Sequence, residues 1–521
     1  MKYLIKRTRM DWTAGYVAEI DYTYGYYGEL NPLRSNLALL YGGYAPPAEF
    51  GTACELGFGQ GLSVNMHAAG SQTQWYGNDF NPAQASFARE LASVSGANAK
   101  LTDEAFSDFC SRSDLPGFDF IGLHGIWSWI SDQNRHVLVD FIRRKLNVGG
   151  VLYVSYNTQP GWAQALPLRH LLTQHAQTVG SNGEGVVARI DKSLAFTERL
   201  FKTNPGYARL NNQIPERFNS LKGLNRNYLA HEYFNQDWHP MHFATMATWL
   251  ADAKITFAGS AHYSDLIQGI NFTAEQLEIM NETRDPVFRE TVRDFIVNQQ
   301  FRRDYWVKGA RKLSSLEQVE RMRAQRVLLM THPTKIEMKI KGAIGDANLQ
   351  EQVYVPILEL LADQKAMDLG SLEQKLKGQG LSFSQLIQAM LVLTGKGDLV
   401  LVNDEKTVAK ARPQTDRLNQ KLMSLARSSG EIGYLVSPVT GGGIGVPRFQ
   451  QLFLLARSKG LKTPDEWAEF VWGIINSQGQ RIAKEGKALE TEAENRAELL
   501  SQATEFSQRH PGVMRALGIA N

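Results

Sequence analysis

Over the first 165 residues, short apolar runs alternate with segments of helical spacing. The runs are Glu49–Leu56 (EFGTACEL), Thr73–Asp79 (TQWYGND), Phe118–Leu123 (FDFIGL) and Val151–Tyr156 (VLYVSY), the last entered through Gly149 and Gly150. Runs this short, closed by glycine or an acid, predict strands. Leu62–Ala69, Ala83–Ser93 and Arg135–Leu146 lie between them and predict helices. Strand, helix, strand at this interval predicts βαβ units and an α/β fold with a mostly parallel sheet.

The pattern changes after Pro160. Residues 162–330 read as mostly helical, with an alternating stretch at Ile255–Tyr263 and a thickening of basic residues from Arg302 to Lys341. Gly342–Gln350 (GAIGDANLQ) reads as a linker. From about 351 to 412 the order is helix, turn, helix, turn, helix and a short hairpin around Gly395–Asp398, which suits a winged helix. The last hundred residues hold a glycine-rich stretch, Val439–Pro447 (VTGGGIGVP), and a polar helical tail near 480–508. No helix and lysine follow those glycines in phosphate-binding order, so they read as structural. The division expected is 1–165 as an α/β core and 166–345 as a helical region whose strands near 255–263 complete the sheet. A winged-helix unit at 346–412 and a C-terminal helical region at 413–521 follow.

Composition narrows the function classes. The chain has 521 residues, with 56 basic and 53 acidic side chains and a net charge of +3. That balance argues against a dedicated nucleic-acid binder. Cys54 and Cys110 are the only cysteines; they cannot build a disulfide framework, and no spacing suits a bound metal, so none is expected. A reducing, cytoplasmic setting fits. Residues 1–12 (MKYLIKRTRMDW) lack the apolar stretch and cleavage site of a signal peptide, and no run of about 18 apolar residues predicts a membrane span.

The sharpest motif is Glu55-Leu56-Gly57-Phe58-Gly59-Gln60-Gly61, between a predicted strand and a predicted helix. Glycines there let the backbone turn tightly and approach a ligand. Glu55 precedes them, where a carboxylate suits a cationic amino group and would oppose a pyrophosphate. Asp79 lies 22 residues after Gly57, at the end of the next strand, where a carboxylate can accept ribose hydroxyls. The alternative for Asp79 is capping the helix that begins near Pro82.

ELGFGQG, GNDFNP, DEAF, FDFIGLHGIWSWI and LNVGGVLYVSYNTQPGW together resemble a class I S-adenosylmethionine-dependent methyltransferase. More narrowly, the chain resembles bacterial methyltransferases with a methyltransferase regulatory domain, a group that includes the rickettsial-type protein lysine methyltransferases. Tyr22–Arg34, Asn227–Ala253 and Phe301–Ala310 fit the same group. The resemblance implies a Rossmann-like domain with a seven-stranded sheet, S-adenosyl-L-methionine as cofactor and S-adenosyl-L-homocysteine as product. It places Glu55, Gly57 and Gly59 at the methionine end, Asp79 at the ribose, and Phe80 and Asn81 beside the adenine. It also brings Asp103 to the adenine amino group, with Glu104 and Ala105 giving backbone contacts; the alternative for Asp103 is a helix N-cap. His124, at the carboxyl edge of the FDFIGL strand, reads either as cofactor lining or as structural. Tyr26 and Tyr27 are expected on the segment covering the cofactor. Tyr22, Tyr24, Trp127, Trp129, Tyr156 and Trp162 add an aromatic rim that would attract a sulfonium or an alkyl-ammonium.

No catalytic base is identified. The segment after the third strand, His124-Gly125-Ile126-Trp127, is not the Asn/Asp-Pro-Pro-Tyr/Phe of base and glutamine methylases. The long extension suggests a large acceptor, and the resemblance implies a protein lysine. A glycan or specialised metabolite as acceptor, and a non-catalytic cofactor-binding module, are the alternatives. A protein partner is expected, a nucleic acid is not, and a homodimer is left open.

Overall fold

The computed structural model of the chain describes Thr13, Tyr16 and Ile20 and residues 22–180, 183–509 and 511–519. Residues 1–12, where the reading against a signal peptide falls, lie outside the described residues. Seven strands form one sheet: β1 (Thr52–Leu56), β2 (Gln74–Asn78), β3 (Ala99–Thr102), β4 (Phe118–Leu123), β5 (Leu146–Asn157), β6 (Ile255–Ser260) and β7 (Phe301–Lys308). Their order is β3-β2-β1-β4-β5-β7-β6. β1 to β5 run parallel, and β7 is antiparallel to both its neighbours.

The strands alternate between two cores. In β5, Leu152, Val154 and Tyr156 join Cys54, Leu56, Ile121 and Leu123 on one face, while Val151 and Tyr153 join Ala53 and Phe120 on the other. Burial on both faces is why these strands read as near-continuous apolar runs. Helices α1 (Pro32–Tyr41), α2 (Leu62–Gly70), α3 (Pro82–Ser95), α4 (Phe106–Ser111) and α5 (Asp132–Lys145) supply the layers. Asn81 and Ser131 cap α3 and α5 through their side chains, and Pro82 starts α3.

The sheet crosses the boundary expected at 165. A helical segment from Leu166 to Tyr233, with its own core around Leu172, Ile190, Phe218 and Leu229, is inserted between β5 and β6. β7, not read as a strand from the sequence, lies in the sheet interior between β5 and β6, with its Arg302 and Asp304 buried as ion partners.

The stretch expected as a linker is a hairpin of β9 (Lys339–Gly342) and β10 (Gly345–Asn348), after β8 (Arg326–Leu329). Ile340 of that hairpin is buried, and Asn271 accepts the Ala343 N–H. Three helices do follow, Glu351–Leu360, Leu369–Leu376 and Phe383–Lys396, with β11 (Met367–Asp368) before the second. The hairpin expected around Gly395–Asp398 does not form. Gly397 is instead the left-handed C-cap of the third helix, and β12 (Leu399–Leu401) pairs with β8, as does β11.

The C-terminal region packs back onto the core. The helix Glu405–Leu425 lies on α2 and α3, with Arg417 donating to the Ser95 carbonyl and Lys421 paired with Glu90. The Val439–Pro447 glycines fall in the turn and second strand of a hairpin, β13 (Tyr434–Ser437) and β14 (Gly442–Gly445), pressed against α2. There a Cβ on Gly70 would meet the Gly441 backbone at 2.7 Å. No helix among the described residues is long and apolar enough to cross a membrane.

Candidate functional site

Strand order reverses between β1 and β4, and a crevice opens at their carboxyl ends, the usual ligand position in an open α/β sheet. A cavity of about 490 Å³ occupies it. Its floor is the bend after β1. Gly57, Gly59 and Gly61 all take positive φ (70°, 57° and 71°), a region costly for other residues. A Cβ on Gly61 would meet that of Ala88 at 2.5 Å, so this glycine also lets α2 approach α3.

Two buried acids face the cavity from the strand ends. Glu55 is 3% exposed, and its Oε2 has no hydrogen-bond partner among the described residues. Burial, with Asp79 nearby, pushes the Glu55 carboxyl up to about 8. Asp79 is 6% exposed and accepts the Asn81 and Gly59 backbone N–H groups, each at 2.9 Å. Burial lifts it to about 6, against those two hydrogen bonds. Helix capping falls to Asn81, whose Oδ1 accepts from Ala83, leaving the other lone pairs of Asp79 turned to the cavity.

The walls come from distant segments. Tyr27 stacks on His124 with ring centroids 3.6 Å apart, and its backbone N–H donates to Ser63. His124 Nδ1 lies 2.8 Å from the Tyr153 hydroxyl; burial lowers the imidazole to about 4, so it is neutral and a weak base at neutral pH. Phe106, Ser107, Trp129 and Asp237 line the cavity as well.

Of the residues expected from the sequence, Tyr27, Glu55, Gly57, Gly59, Asp79, Phe80, Asn81, Ala105 and His124 all line this cavity. Asp103 and Glu104 do not. Asp103 is half-exposed and paired with Arg89 at 2.5 Å, and Glu104 is paired with Arg112 at 3.0 Å. Asp103 caps no helix either, since α4 begins after Ala105. Glu104 contributes its carbonyl to the Asn78 side chain.

The expected aromatic rim is thinner than its sequence density. Tyr22 and Trp129 line the cavity. Tyr26 turns the other way, against His67 and Tyr434, and Tyr24 packs on Phe87. Trp127 and Tyr156 are core residues, and Trp162 packs against the core of the inserted helical segment. Phe106, Ser107 and Asp237 had no signal as site residues. The first two are named only by the strand-to-helix turn they enter, and Asp237 arrives from far along the chain.

Comparison with known proteins agrees with this architecture. Residues 225–308 match the family described as "predicted methyltransferase regulatory domain". The uncharacterized protein sll1526 of Synechocystis sp. is 40% identical over 515 residues, covering 98% of this chain and 100% of that protein. The uncharacterized protein RP789 of Rickettsia prowazekii is 26% identical over 291 residues, covering 54% of this chain and 51% of its own length. The solved structure of PKMT2 from Rickettsia typhi in complex with AdoHcy superposes with a TM-score of 0.69 at 17% identity, covering 95% of this chain and 100% of that one. At 40% identity over nearly its whole length, this chain belongs to the same family as the Synechocystis protein, and it carries a match to the predicted methyltransferase regulatory domain on the fold of the Rickettsia typhi structure.

Proposed function

We propose that the chain binds S-adenosylmethionine in this cavity and methylates the side-chain amine of a protein lysine. The observation that carries the cofactor reading is the buried Glu55 carboxyl beside the glycine bend, its Oε2 unpartnered, in a cavity whose described lining includes no arginine or lysine. Such a group calls for a cationic N–H donor, and the amino group of the cofactor's methionine end is one. Asp79 fits the ribose hydroxyls, because its oxygens keep lone pairs after accepting from Gly59 and Asn81. Phe80, Ala105, Phe106 and Ser107 would flank the base. Asp103, tied to Arg89 outside the cavity, is not assigned to it.

When bound, the cofactor supplies a methyl group already activated on a positive sulfur. The chain's task is then positioning and water exclusion, which together can lower a barrier by several kcal/mol, about 7 in well-oriented cases. The stacked pair Tyr27 and His124 holds one wall rigid. A lysine has an unperturbed pKa of about 10.4; an apolar, aromatic mouth desolvates the ammonium and favours the neutral nucleophile. No residue here needs to be a strong base.

The lysine reading rests on the sequence resemblance and on the size of the regions beyond the core. Its test is incubation with methyl-labelled cofactor and a cell extract, followed by separation of protein, glycan and small molecules. Label on protein that survives base treatment and appears as methyl-lysine is expected. Label confined to glycan or metabolite fractions would overturn the lysine assignment, and absence of cofactor binding by calorimetry would overturn the whole reading.

A further inference from the structure

We propose that Gln84, on the first turn of α3, is a specificity-determining residue of the cofactor site, its amide reading one ribose hydroxyl beside Asp79. This rests on the cofactor reading above and names a contact that the glycine bend and its two acids do not supply.

Gln84 occupies the third position of α3, after the cap Asn81. A glutamine there commonly folds back onto the cap's own backbone N–H. Two other helices of this chain show it. Gln276 accepts from the Thr273 N–H at 2.9 Å, and Gln385 from the Ser382 N–H at 3.0 Å. At α3 the Asn81 N–H is already given to Asp79 Oδ1 at 2.9 Å, and Gln84 does not cap. Asp79 thereby releases the Gln84 amide from the helix end.

The released side chain stays in the cavity wall. Gln84 is 5% exposed and lines the cavity. Its amide oxygen lies 3.9 Å from where a Gly59 Cβ would stand, and the Gly59 N–H donates to Asp79 Oδ2 at 2.9 Å. One glycine therefore has the carboxylate and the amide as common neighbours. The other buried amides of the described lining are committed. Gln60 donates to the Tyr22 carbonyl and Asn78 to the Glu104 carbonyl, while Asn81 accepts from Ala83. The Gln84 side chain hydrogen-bonds to no described residue. A buried amide without a partner has lost its hydration with nothing in exchange, so this one calls for a ligand.

Its chemistry complements that of Asp79. An ionised carboxylate only accepts, so it takes hydroxyl protons and leaves the lone pairs of the hydroxyl oxygens unmet. An amide N–H can donate to one of those oxygens. Acid and amide together select a hydroxyl that gives and receives at once, which a deoxyribose lacks at that carbon.

The test is calorimetric titration of the full-length protein with S-adenosylhomocysteine and with its 2′-deoxy and 3′-deoxy analogues. Gln84→Leu is expected to bind S-adenosylhomocysteine about three- to tenfold more weakly than wild type. For one of the two analogues, the one missing the hydroxyl that the amide reads, variant and wild type should bind alike. The ligand-free melting temperature of Gln84→Leu should hold or rise, because an unpartnered buried amide gives way to an apolar group of similar size. Gln84→Glu keeps the shape but exchanges the donor for a second acceptor, and should weaken S-adenosylhomocysteine at least as much. Equal affinity of wild type and Gln84→Leu for S-adenosylhomocysteine overturns the assignment. So does a loss of the same size for all three ligands, which is what a merely structural glutamine would give. Wild type that binds none of the three removes the cofactor reading itself, and this contact with it.

Discussion

On β7, Asp304 is 1% exposed and lies against Arg302, whose guanidinium also reaches Asp294 at 2.6 Å and Glu290 at 2.7 Å and sits over the Phe243 ring. On β1, Glu55 is buried to nearly the same degree with only Asp79 for electrostatic company. Burial lifts the carboxyls in both places. At β7 the arginine pulls Asp304 and Asp294 back, whereas at β1 nothing does. The first cluster carries its own counter-charge, although the Asp294 Oδ2 has no hydrogen-bond partner among the described residues. The second is incomplete without a cation, and one is expected from outside the chain. A buried acid that lacks its counter-charge is better evidence of binding than a buried ion pair, which proteins also use for structure.

The largest effect should come from breaking the complete cluster. Arg302→Ala strands buried carboxylates, so unfolding free energy should fall by about 3–5 kcal/mol, read by chemical denaturation; a loss under 1 kcal/mol would show that the cluster is better solvated than its burial implies. Glu55→Gln should do the opposite: stability held or raised, with S-adenosylmethionine affinity down by about 1.5–3 kcal/mol, roughly ten- to a hundredfold. Unchanged calorimetric affinity would remove Glu55 from the site and erase the contrast.

Next in size is Gly59→Ala. Gly59 has φ +57° but open space, the nearest atom to a new Cβ being on Tyr22 at 3.7 Å. The cost should be about 1 kcal/mol, from backbone strain alone, seen as a small drop in melting temperature. Gly57 is less forgiving, since its Cβ would meet Ile126 at 2.4 Å.

The smallest effect is with pH. Glu55 binds its proton more tightly in the fold (about 8) than when unfolded (4.5), so its contribution to stability is fully present below 4.5 and is lost as pH rises through about 8. The ligand-free melting temperature should drift down across that window, and the shift produced by S-adenosylmethionine should grow. A ligand shift independent of pH between 6 and 8.5 would contradict the ionised Glu55 role.

Much of this architecture is legible in the sequence, for a physical reason. β1, β2, β4 and β5 are buried on both faces, so they stand out as apolar runs. β7 is just as central but carries Arg302, Arg303 and Asp304, and its charges hide it among basic residues whose side chains face water. β3 has four residues and one buried position, too little for a pattern. At the site, the bend and the acids at the two strand ends could be read because local spacing fixes them. Asp103 lies off the cavity with its carboxylate held by Arg89, 14 positions earlier, and Glu104, expected to give a backbone contact, turns its carbonyl to the Asn78 side chain. Asp237 comes from another part of the chain, and no local spacing announces it.

Tyr26 and Tyr27 are neighbours that look in opposite directions. One ring rests beside His67 and Tyr434, the other covers the nucleoside-sized hollow. Just beyond them, the Asn31 side chain donates to the Thr440 carbonyl at 2.9 Å. A fragment cut before Glu405 would therefore set Leu62 and Met66 in water and leave Tyr26 without a seat, one peptide bond from the ring over His124. The half of the molecule that holds the cavity is therefore expected to need the far end of the chain to keep its wall in place.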